Sequence, residues 1–166
     1  QALKGELQFA KPVYFIDNGP LKHLLAVKYK FGAALAENFH YLGDFDIKTV
    51  AGLTVCFASG DFSNEVDAHM DDNCRDLINR MNFHGETEIE KLVEDNQTLL
   101  QENEGVDLLL TCQWPKHYGK FAESQDTEFN GNELIDRLAY KVKPRYHFCG
   151  NLDKYFEREP YINYDQ

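Results

Sequence analysis

Two apolar runs of the chain end abruptly in residues whose side chains could bind a ligand or a metal ion. The runs are VDLLLTCQWP, from Val106 to Pro115, and KPRYHFCGNLD, from Lys143 to Asp153. Each has the pattern of a buried parallel strand, and the carboxyl ends of such strands form the ligand site of an open α/β sheet. Cys112 stands at the first end, and Asn151 and Asp153 stand at the second. Their thiol, amide and carboxylate groups are the first candidates for chemistry.

A cysteine nucleophile is one hypothesis for these strand ends. A strand end would expose the Cys112 thiol, and His147 or His117 could serve as its base. Nothing in the sequence predicts a lowered pKa for this thiol. The sequence has no glycine-rich phosphate loop, no Gly-x-Ser-x-Gly motif and no His-Glu-x-x-His motif. It therefore offers no other familiar catalytic motif.

The length and composition predict a single domain over residues 1–166. Of the 166 residues, 43% are hydrophobic and 27% are charged, which is ordinary globular composition. The apolar runs are too short to cross a bilayer and the N-terminus lacks the pattern of a signal peptide, so we expect no membrane partner. A net charge of −11 argues against a large non-specific nucleic-acid surface and favours a basic protein partner.

The cysteines give no sign of a zinc site. There are four of them and no Cys-x-x-Cys pair. Cys56 lies in a β-like run and Cys74 on the apolar face of a predicted helix, so we expect both to be buried. Reduced cysteines fit a cytosolic or nuclear protein.

Strand and helix patterns alternate along the chain and predict an α/β layered domain with a mixed sheet. We expect strands over 13–17, 38–44, 49–60, 106–112, 146–150 and 154–163, and helices over 21–29, 71–82, 87–102 and 132–142. A polar turn near Asp44 to Lys48 is expected to separate the second and third strands, and Pro160 places the last strand at a sheet edge.

Two further segments bear on partners. Helix 87–102 has an acidic outer face, which we interpret as solvated. Its acidic residues are Glu88, Glu90, Glu94, Asp95 and Glu102. The segment from Gln113 to Asn130 is longer than most loops, so we expect it to be functional or mobile.

The two apolar runs resemble a family of metallophosphoesterases. LLTCQWPK resembles the Leu-Ser-His-Asp-Trp-Pro-Arg stretch of the lariat debranching enzymes, and KPRYHFCGNLDKYF is similar to their Pro-x-Tyr-Trp-Phe-Ser-Ala-His-Leu-His stretch. The resemblance is closer to the N-terminal domain of the CwfJ-type proteins, spliceosome-associated relatives of those enzymes. Where they carry DILLTSxWPK, LKPRYHF and YYERLPY, this chain has VDLLLTCQWPK, VKPRYHF and YFEREPY.

The resemblance covers the chain from about Pro12 onward and implies a layered metallophosphoesterase-like sandwich that is incomplete at its N-terminus. The family begins with two strands that end in Gly-Asp, and no counterpart precedes Pro12. The chain is therefore expected to enter the fold at its third sheet strand. Gly43-Asp44 and Gly60-Asp61 come too late in the chain to replace these motifs, and we interpret both as coincidences.

The resemblance also implies that the metal site is degenerate at its third motif, Gly-Asn-His-Glu. Gly19 stands at the metal-binding Asn and Pro20 at the catalytic His. With a shift of one residue, Asn18 takes the ligand position and Gly19 replaces the His. In either alignment the proton donor is lost.

The later motifs are degenerate as well. Cys112 occupies the place of a His ligand, and Asn151 and Asp153 replace the His-Leu-His pair. A thiolate is a soft ligand that suits manganese or magnesium poorly. We therefore expect no metal cofactor and no catalytic residue.

The remaining candidates are Trp114, Lys116, Arg145 and His147. We expect the first three at the mouth of the former cleft, where an aromatic ring and two cations could hold a phosphate or a base. A lone Trp is more often a core residue than a contact, and this is the alternative role of Trp114. His147 is expected to be a hydrogen-bonded structural histidine.

The resemblance implies a nuclear factor of late spliceosomes or intron-lariat turnover. Its expected partners are spliceosomal and disassembly proteins, including the lariat debranching enzyme, with RNA contact weak. The chain would then be a pseudo-enzyme that serves as an interaction domain. The alternative is a weak metal-dependent phosphodiesterase whose missing N-terminal strands supply Asp ligands.

Overall fold

The computed structural model describes residues 8–17, 25, 28–62, 83–118, 131–152 and 155–160. The strands are β1 (Val13–Phe15), β2 (Ala33–Ala36), β3 (Phe39–Tyr41), β4 (Phe45–Val50), β5 (Leu53–Ala58), β6 (Asp61–Phe62), β7 (Phe83–His84), β8 (Leu108–Thr111) and β9 (Tyr146–Cys149). The helices are α1 (Glu86–Asp95) and α2 (Gln97–Glu102), which precede β8, and α3 (Glu133–Val142), which precedes β9.

A four-stranded mixed sheet in the order β4-β5-β8-β9 organises the fold. β4 is antiparallel to β5, whereas β5, β8 and β9 are parallel to one another. Ala51 and Gly52 join β4 to β5 with φ angles of 51° and 85°, the paired positive values that a tight hairpin requires. The prediction of an α/β domain with a mixed sheet is confirmed.

The main core lies between this sheet and the helices. Leu109 of β8 packs against Ile89 of α1 and Leu138 of α3, and none of these three side chains is exposed. Both helical segments therefore turn an apolar face toward the sheet. The core also contains Ile47, Cys56, Ala58, Phe62, Leu92, Val106, Leu134, Ile135 and Val142.

A smaller sheet covers part of the other face. Its order is β1-β3-β2, with β1 parallel to β3 and β2 antiparallel to it. Ile16 and Leu42, which follow β1 and β3, pack against Val55 and Phe57 of β5. The large sheet is thus covered by helices on one face and by a second sheet on part of the other.

The predicted turn at Asp44 to Lys48 is wrong, because these residues lead into and form β4. One polar side chain of this strand, that of Lys48, is bonded to residues that flank the strands of the smaller sheet. The Lys48 Nζ donates to the carbonyl oxygens of Phe31 at 2.7 Å and Leu42 at 3.0 Å, and it lies 5.2 Å from the centre of the Phe57 ring.

Two other elements differ from prediction. Helix 87–102 is broken at Asn96, whose side-chain nitrogen donates to the Leu92 carbonyl and ends α1. Residues 155–160 form no strand; Phe156 instead packs on Trp114 and Tyr118. β2, β6 and β7 were not predicted, since each is short.

The remaining predicted elements lie outside the described residues. This holds for helix 71–82 with Cys74 and for most of helix 21–29, of which the Tyr29 N–H donates to the Leu25 carbonyl in a helical turn. In the described part of the chain, no helix is long and apolar enough to cross a membrane.

Candidate functional site

The carboxyl ends of β8 and β9 lie side by side, as the sequence predicted. The Gly150 N–H donates to the Thr111 carbonyl at 3.0 Å, which continues the parallel pairing one residue beyond β9. Cys112 and Asn151 follow these two residues directly. Cys112 and Asn151, which the sequence analysis singled out, therefore lie at the same edge of the sheet.

Trp114 closes this edge instead of lining a cleft mouth. Its side chain is 8% exposed, and its Nε1–H donates to the Gly150 carbonyl at 2.6 Å. The ring meets Tyr118 edge-on at a centroid distance of 4.9 Å, and Phe156 completes the group at 5.2 Å from Tyr118. We call Trp114, Tyr118 and Phe156 the aromatic cap. It ties the strand ends to the segment beyond them.

His147 is held inside the strand pair. Its Nε2 lies 2.8 Å from the Thr111 Oγ1 and 3.3 Å from the Cys149 Sγ. Burial lowers the pKa of His147 to about 4, so the ring is uncharged at neutral pH. An uncharged ring with these contacts is suited to packing and hydrogen bonding, not to binding a phosphate by charge.

The contacts do not form a cysteine–histidine nucleophile at Cys112. The thiol beside His147 belongs to Cys149, and burial raises the pKa of that thiol to about 11. A raised thiol pKa and a lowered imidazole pKa keep both groups neutral, which disfavours a reactive thiolate. The other proposed base, His117, has its Nδ1 2.7 Å from the Asp136 carboxylate. Cys112 itself is buried, with 6% of its surface exposed.

The two candidate cations lie at opposite ends of the sheet. Lys116 follows the β8 end and its Nζ lies 3.5 Å from the Glu133 carboxylate on α3. Arg145 precedes β9, and its guanidinium lies 3.5 Å from Asp107, which precedes β8. Because the strands are parallel, Arg145 lies at their amino ends, away from Lys116 and Trp114. The three residues do not form one phosphate or base site.

Gln113 joins the cap to the rest of the fold. Its Oε1 accepts hydrogen bonds from the Phe62 N–H at 2.7 Å and from the Asn132 Nδ2 at 3.1 Å. The Asn132 Nδ2 also donates to the Phe62 carbonyl at 2.7 Å, while its Oδ1 accepts from the Leu134 N–H at the start of α3. These bonds hold β6, the β8 end and α3 together.

A buried polar cluster, which sequence reasoning missed, lies beyond the ends of β3, β5 and β7. The His84 Nε2 is 3.2 Å from the Asp44 Oδ1 and 3.1 Å from the Ser59 carbonyl. The Ser59 Oγ donates to the Gly43 carbonyl at 2.6 Å. Burial raises the pKa of the nearby Tyr41 to about 12, and the charge of Asp44 adds to this effect. The rings of Phe45 and Phe62 flank His84.

This cluster acts as a clamp between elements. Asp44 and His84 are 7% and 4% exposed, and the His84 Nε2 lies within hydrogen-bonding distance of the Ser59 carbonyl. The Asp44 Oδ1 lies 3.2 Å from the same nitrogen but makes no hydrogen bond within the described residues. The sequence pattern nearest to this cluster is the pair of Gly-Asp dipeptides, Gly43-Asp44 and Gly60-Asp61. In the structure, Gly43 and Gly60 have positive φ angles of 124° and 87°. Glycine adopts such φ angles without the steric strain that a side chain would add.

The described positions that the resemblance aligns with metal ligands do not fit a pair of hard metal ions. Cys112 offers a buried thiol, and Asn151 is an exposed residue with a φ of 65°. Across the described residues, no group of three or more His, Cys, Asp or Glu side chains is arranged to hold a metal ion. Asn18, Gly19, Pro20 and Asp153 lie outside the described residues.

Comparison with known proteins finds relatives with the same name in several organisms. The chain is 37% identical to CWF19-like protein 1 of Mus musculus over 142 residues, which cover 80% of this chain and 23% of the mouse protein. It is 36% identical to the Homo sapiens protein of that name, with the same coverage. A homolog in Caenorhabditis elegans is 28% identical over 99% of this chain and 28% of its own length. No family model matches the sequence. The chain thus spans about a quarter of these relatives.

Proposed function

Because the chain is homologous to about a quarter of CWF19-like protein 1, we propose that it is an interaction domain of a nuclear splicing factor. In this proposal the metallophosphoesterase-like scaffold that the sequence resembles is kept and its hydrolytic chemistry is lost. The partners are proteins of the spliceosome and of its disassembly, with the lariat debranching enzyme as one candidate. RNA contact is weak or absent.

The buried thiol of Cys112 is the observation that best supports this proposal, because the resemblance places a His metal ligand at that position. In the fold that the sequence resembles, metal ligands stand where β8 and β9 end. Here the end of β8 is followed by Cys112, which is 6% exposed, and the end of β9 by Gly150 and the amide side chain of Asn151.

The acidic face of α1 and α2 is the surface that best suits a basic partner. We define the acidic face by its exposed carboxylates Glu94, Asp95, Glu102 and Glu104. Glu88 and Glu90 are not part of the face because they have partners within the fold. Glu88 accepts a hydrogen bond from the Gly85 N–H, and Glu90 pairs with Lys141 at 2.8 Å. The four residues of the face leave a local excess of negative charge in a chain of net charge −11.

Charge reversal on the acidic face tests this proposal. The double variant Glu94→Lys/Glu102→Lys in the full-length protein should lose most of its co-migration with spliceosomal complexes in a splicing extract, as measured by gradient sedimentation. Glu37→Lys/Glu159→Lys is the matched control, because it makes the same charge change at exposed acids elsewhere. Equal loss in both variants, or in neither, would contradict a role for this face.

The second candidate function is a weak metal-dependent phosphodiesterase. Asp153 favours it, since it places a carboxylate where the debranching enzymes have a His ligand. Parts of the full-length protein outside these residues would have to supply the other ligands.

A further inference from the structure

The turn that leads into β2 presents a phenyl ring to solvent. Phe31 is 81% exposed, more than any other described phenylalanine, and only Gly32 separates it from the first residue of β2. A single exposed apolar residue is common on protein surfaces, so the exposure of Phe31 does not by itself indicate a function. The backbone and the charges around this ring give it one.

The backbone that carries the ring is fixed by distant parts of the fold. The Lys30 carbonyl accepts a hydrogen bond from the Asp44 N–H at 2.9 Å, and the Phe31 carbonyl accepts one from the Lys48 Nζ at 2.7 Å. A Cβ at Gly43 would lie 2.9 Å from the Lys30 carbonyl oxygen, so the two segments are in close contact. The segment before β4 and β4 itself therefore hold the turn in place.

The turn is also closed on itself. The Gly32 N–H donates to the Tyr29 carbonyl at 2.7 Å, and a Cβ at Gly32 would lie 2.5 Å from the Leu42 carbonyl oxygen. On such a backbone, Phe31 keeps freedom only about its own side-chain torsions. Burying its ring against a partner would therefore cost little conformational entropy, which is the property of an anchor residue in an interface.

Two lysines give this turn a positive charge in an acidic chain. Lys28 and Lys30 are both exposed, and together with Tyr29 and Phe31 they form what we call the basic turn. Lys48 adds no further free charge, because its Nζ also lies 3.7 Å from the Asp46 carboxylate. The chain as a whole has a net charge of −11, so the basic turn differs in sign from most of the surface. Carboxylates on a partner would complement it.

We infer that the basic turn is a docking site for a partner protein, and that Phe31 enters an apolar pocket rimmed by Asp and Glu side chains of that partner. The ring supplies the apolar area that is removed from water, and Lys28 and Lys30 meet the carboxylates of the rim. The fixed backbone presents all three side chains before the partner arrives.

The basic turn suits a pocket of this kind better than it suits RNA. A base could stack on Phe31, but an RNA strand carries a charge at every nucleotide and is bound in an extended basic groove. Beyond two lysines, such a strand would meet a chain of net charge −11. The carboxylates of a pocket rim are local, so two lysines are enough to pair with them.

The basic turn is separate from the acidic face. Lys48, which binds the turn, is paired in register with Val55 and shares its side of the large sheet. Val55 belongs to the cluster beneath the smaller sheet, whereas α1 packs on the opposite side. The inference therefore goes beyond the proposed function and does not depend on any contact at the acidic face.

Site-specific photo-crosslinking of the full-length protein is the first test. p-Benzoylphenylalanine replaces Phe31 and, in a matched control, Tyr155, which is 84% exposed. Each variant is irradiated in a splicing extract, and the products are mapped by mass spectrometry. We expect position 31 to give one protein product in at least about tenfold greater yield than position 155, attached among apolar residues bordered by Asp and Glu.

The affinity of the two purified proteins is the second test, since capture from an extract is not sufficient. Phe31→Ala should weaken the complex at least about tenfold, because it removes the ring that is buried on binding. Lys28→Glu/Lys30→Glu should weaken it by a similar factor, and added salt should weaken the unsubstituted complex. The controls are Tyr155→Ala and Lys11→Glu/Lys91→Glu, which change exposed residues elsewhere and should leave the affinity within about twofold.

Several results would overturn the inference. One is a yield at position 31 no greater than that at position 155, and another is an affinity that Phe31→Ala leaves unchanged or that the controls weaken equally. A product within the same chain would show that the full-length protein covers Phe31 itself. A product with a second copy, with a basic protein surface or with ribonuclease-sensitive RNA would assign the turn to a different occupant.

Discussion

His147 shows how the sheet decides the role of a residue that could do chemistry. The same imidazole at an open strand end would titrate near neutral pH and could act as a base or a ligand. Within the β8–β9 pair its Nε2 meets the Thr111 hydroxyl and the Cys149 thiol, and burial favours its neutral form. His147 and Cys149 therefore contribute packing and hydrogen bonding, and they do not form a reactive pair.

The titration of His147 follows from this position. Burial lowers its pKa from 6.5 to about 4 in the folded protein, whereas the unfolded chain keeps the ordinary value. Between these pH values only the unfolded state binds the proton, so the contribution to stability is complete above pH 6.5. It is lost as the pH falls toward 4, by about 2 kcal/mol between pH ~7 and ~5. Nuclear magnetic resonance of the ring should give a midpoint near 4; a midpoint at 6 or above would contradict the assignment.

Trp114 is expected to be structural by the same reasoning. Trp114→Ala should cost about 3–5 kcal/mol, because it removes a buried ring from the aromatic cap. Trp114→Phe should cost less, since it keeps most of the packing and loses the bond to Gly150, worth about 1 kcal/mol. Tyr155→Ala is the control, as Tyr155 is 84% exposed. Thermal unfolding measures all three; a neutral Trp114→Ala would show that the cap is not part of the folded core.

At the scale of elements, glycines and caps fix where strands and helices meet. Gly105 separates α2 from β8 with a φ of 118°, and a Cβ there would lie 2.4 Å from the Lys143 carbonyl at the end of α3. This contact sets the distance between two connections that lead into neighbouring parallel strands. The sequence shows a glycine here, but not the carbonyl that approaches it.

Replacing Gly105 should lower the free energy of unfolding through backbone strain and through a steric clash. Gly52 is a control that separates these two effects. Gly52 also has a positive φ, of 85°, but a Cβ there meets nothing within 4 Å. Gly52→Ala should cost only the backbone strain, about 1–2 kcal/mol. Gly105→Ala adds a clash with backbone and should cost at least about 3 kcal/mol. Urea unfolding of both variants checks this; equal costs would mean that the close approach is relieved without penalty.

Asn132 provides a second test at this scale. Asn132→Asp keeps an oxygen that can accept from the Leu134 N–H, but it loses the donor to Phe62 and Gln113. Asn132→Ala loses both functions. We expect Asp to cost about 1–2 kcal/mol and Ala about 2–4 kcal/mol in chemical unfolding. If Asp is neutral, the side-chain donor does not join β6 to α3.

Elements with a long apolar or helical pattern were predicted more accurately than elements with a short or interrupted pattern. The apolar runs of β8 and β9 and the helical period of α3 are long enough to predict the parallel core and the meeting of two strand ends. The strand β4 was mistaken for a turn because Lys48 is polar, and its partners are carbonyls contributed by distant residues. The Asp44–His84 contact could not be predicted, since 40 residues separate its members and no periodicity relates them.

For the whole molecule, the distribution of charge points to the acidic face, which lies on the helical side of the large sheet. Contact with a basic partner through the acidic face should weaken as salt is added, because exposed charges are screened beyond about 8–10 Å at ~0.1–0.15 M salt. A partner affinity that does not change with ionic strength would instead indicate an apolar contact.

The central claim is that the strand ends have lost their hydrolytic chemistry. Manganese titration of the full-length protein by calorimetry, with a branched-RNA cleavage assay on the same sample, tests it most directly. We predict no stoichiometric binding at micromolar metal and no cleavage above the rate without protein. Micromolar binding together with cleavage that disappears in Asp153→Ala would contradict the claim and would show that Cys112, Asn151 and Asp153 belong to a working site.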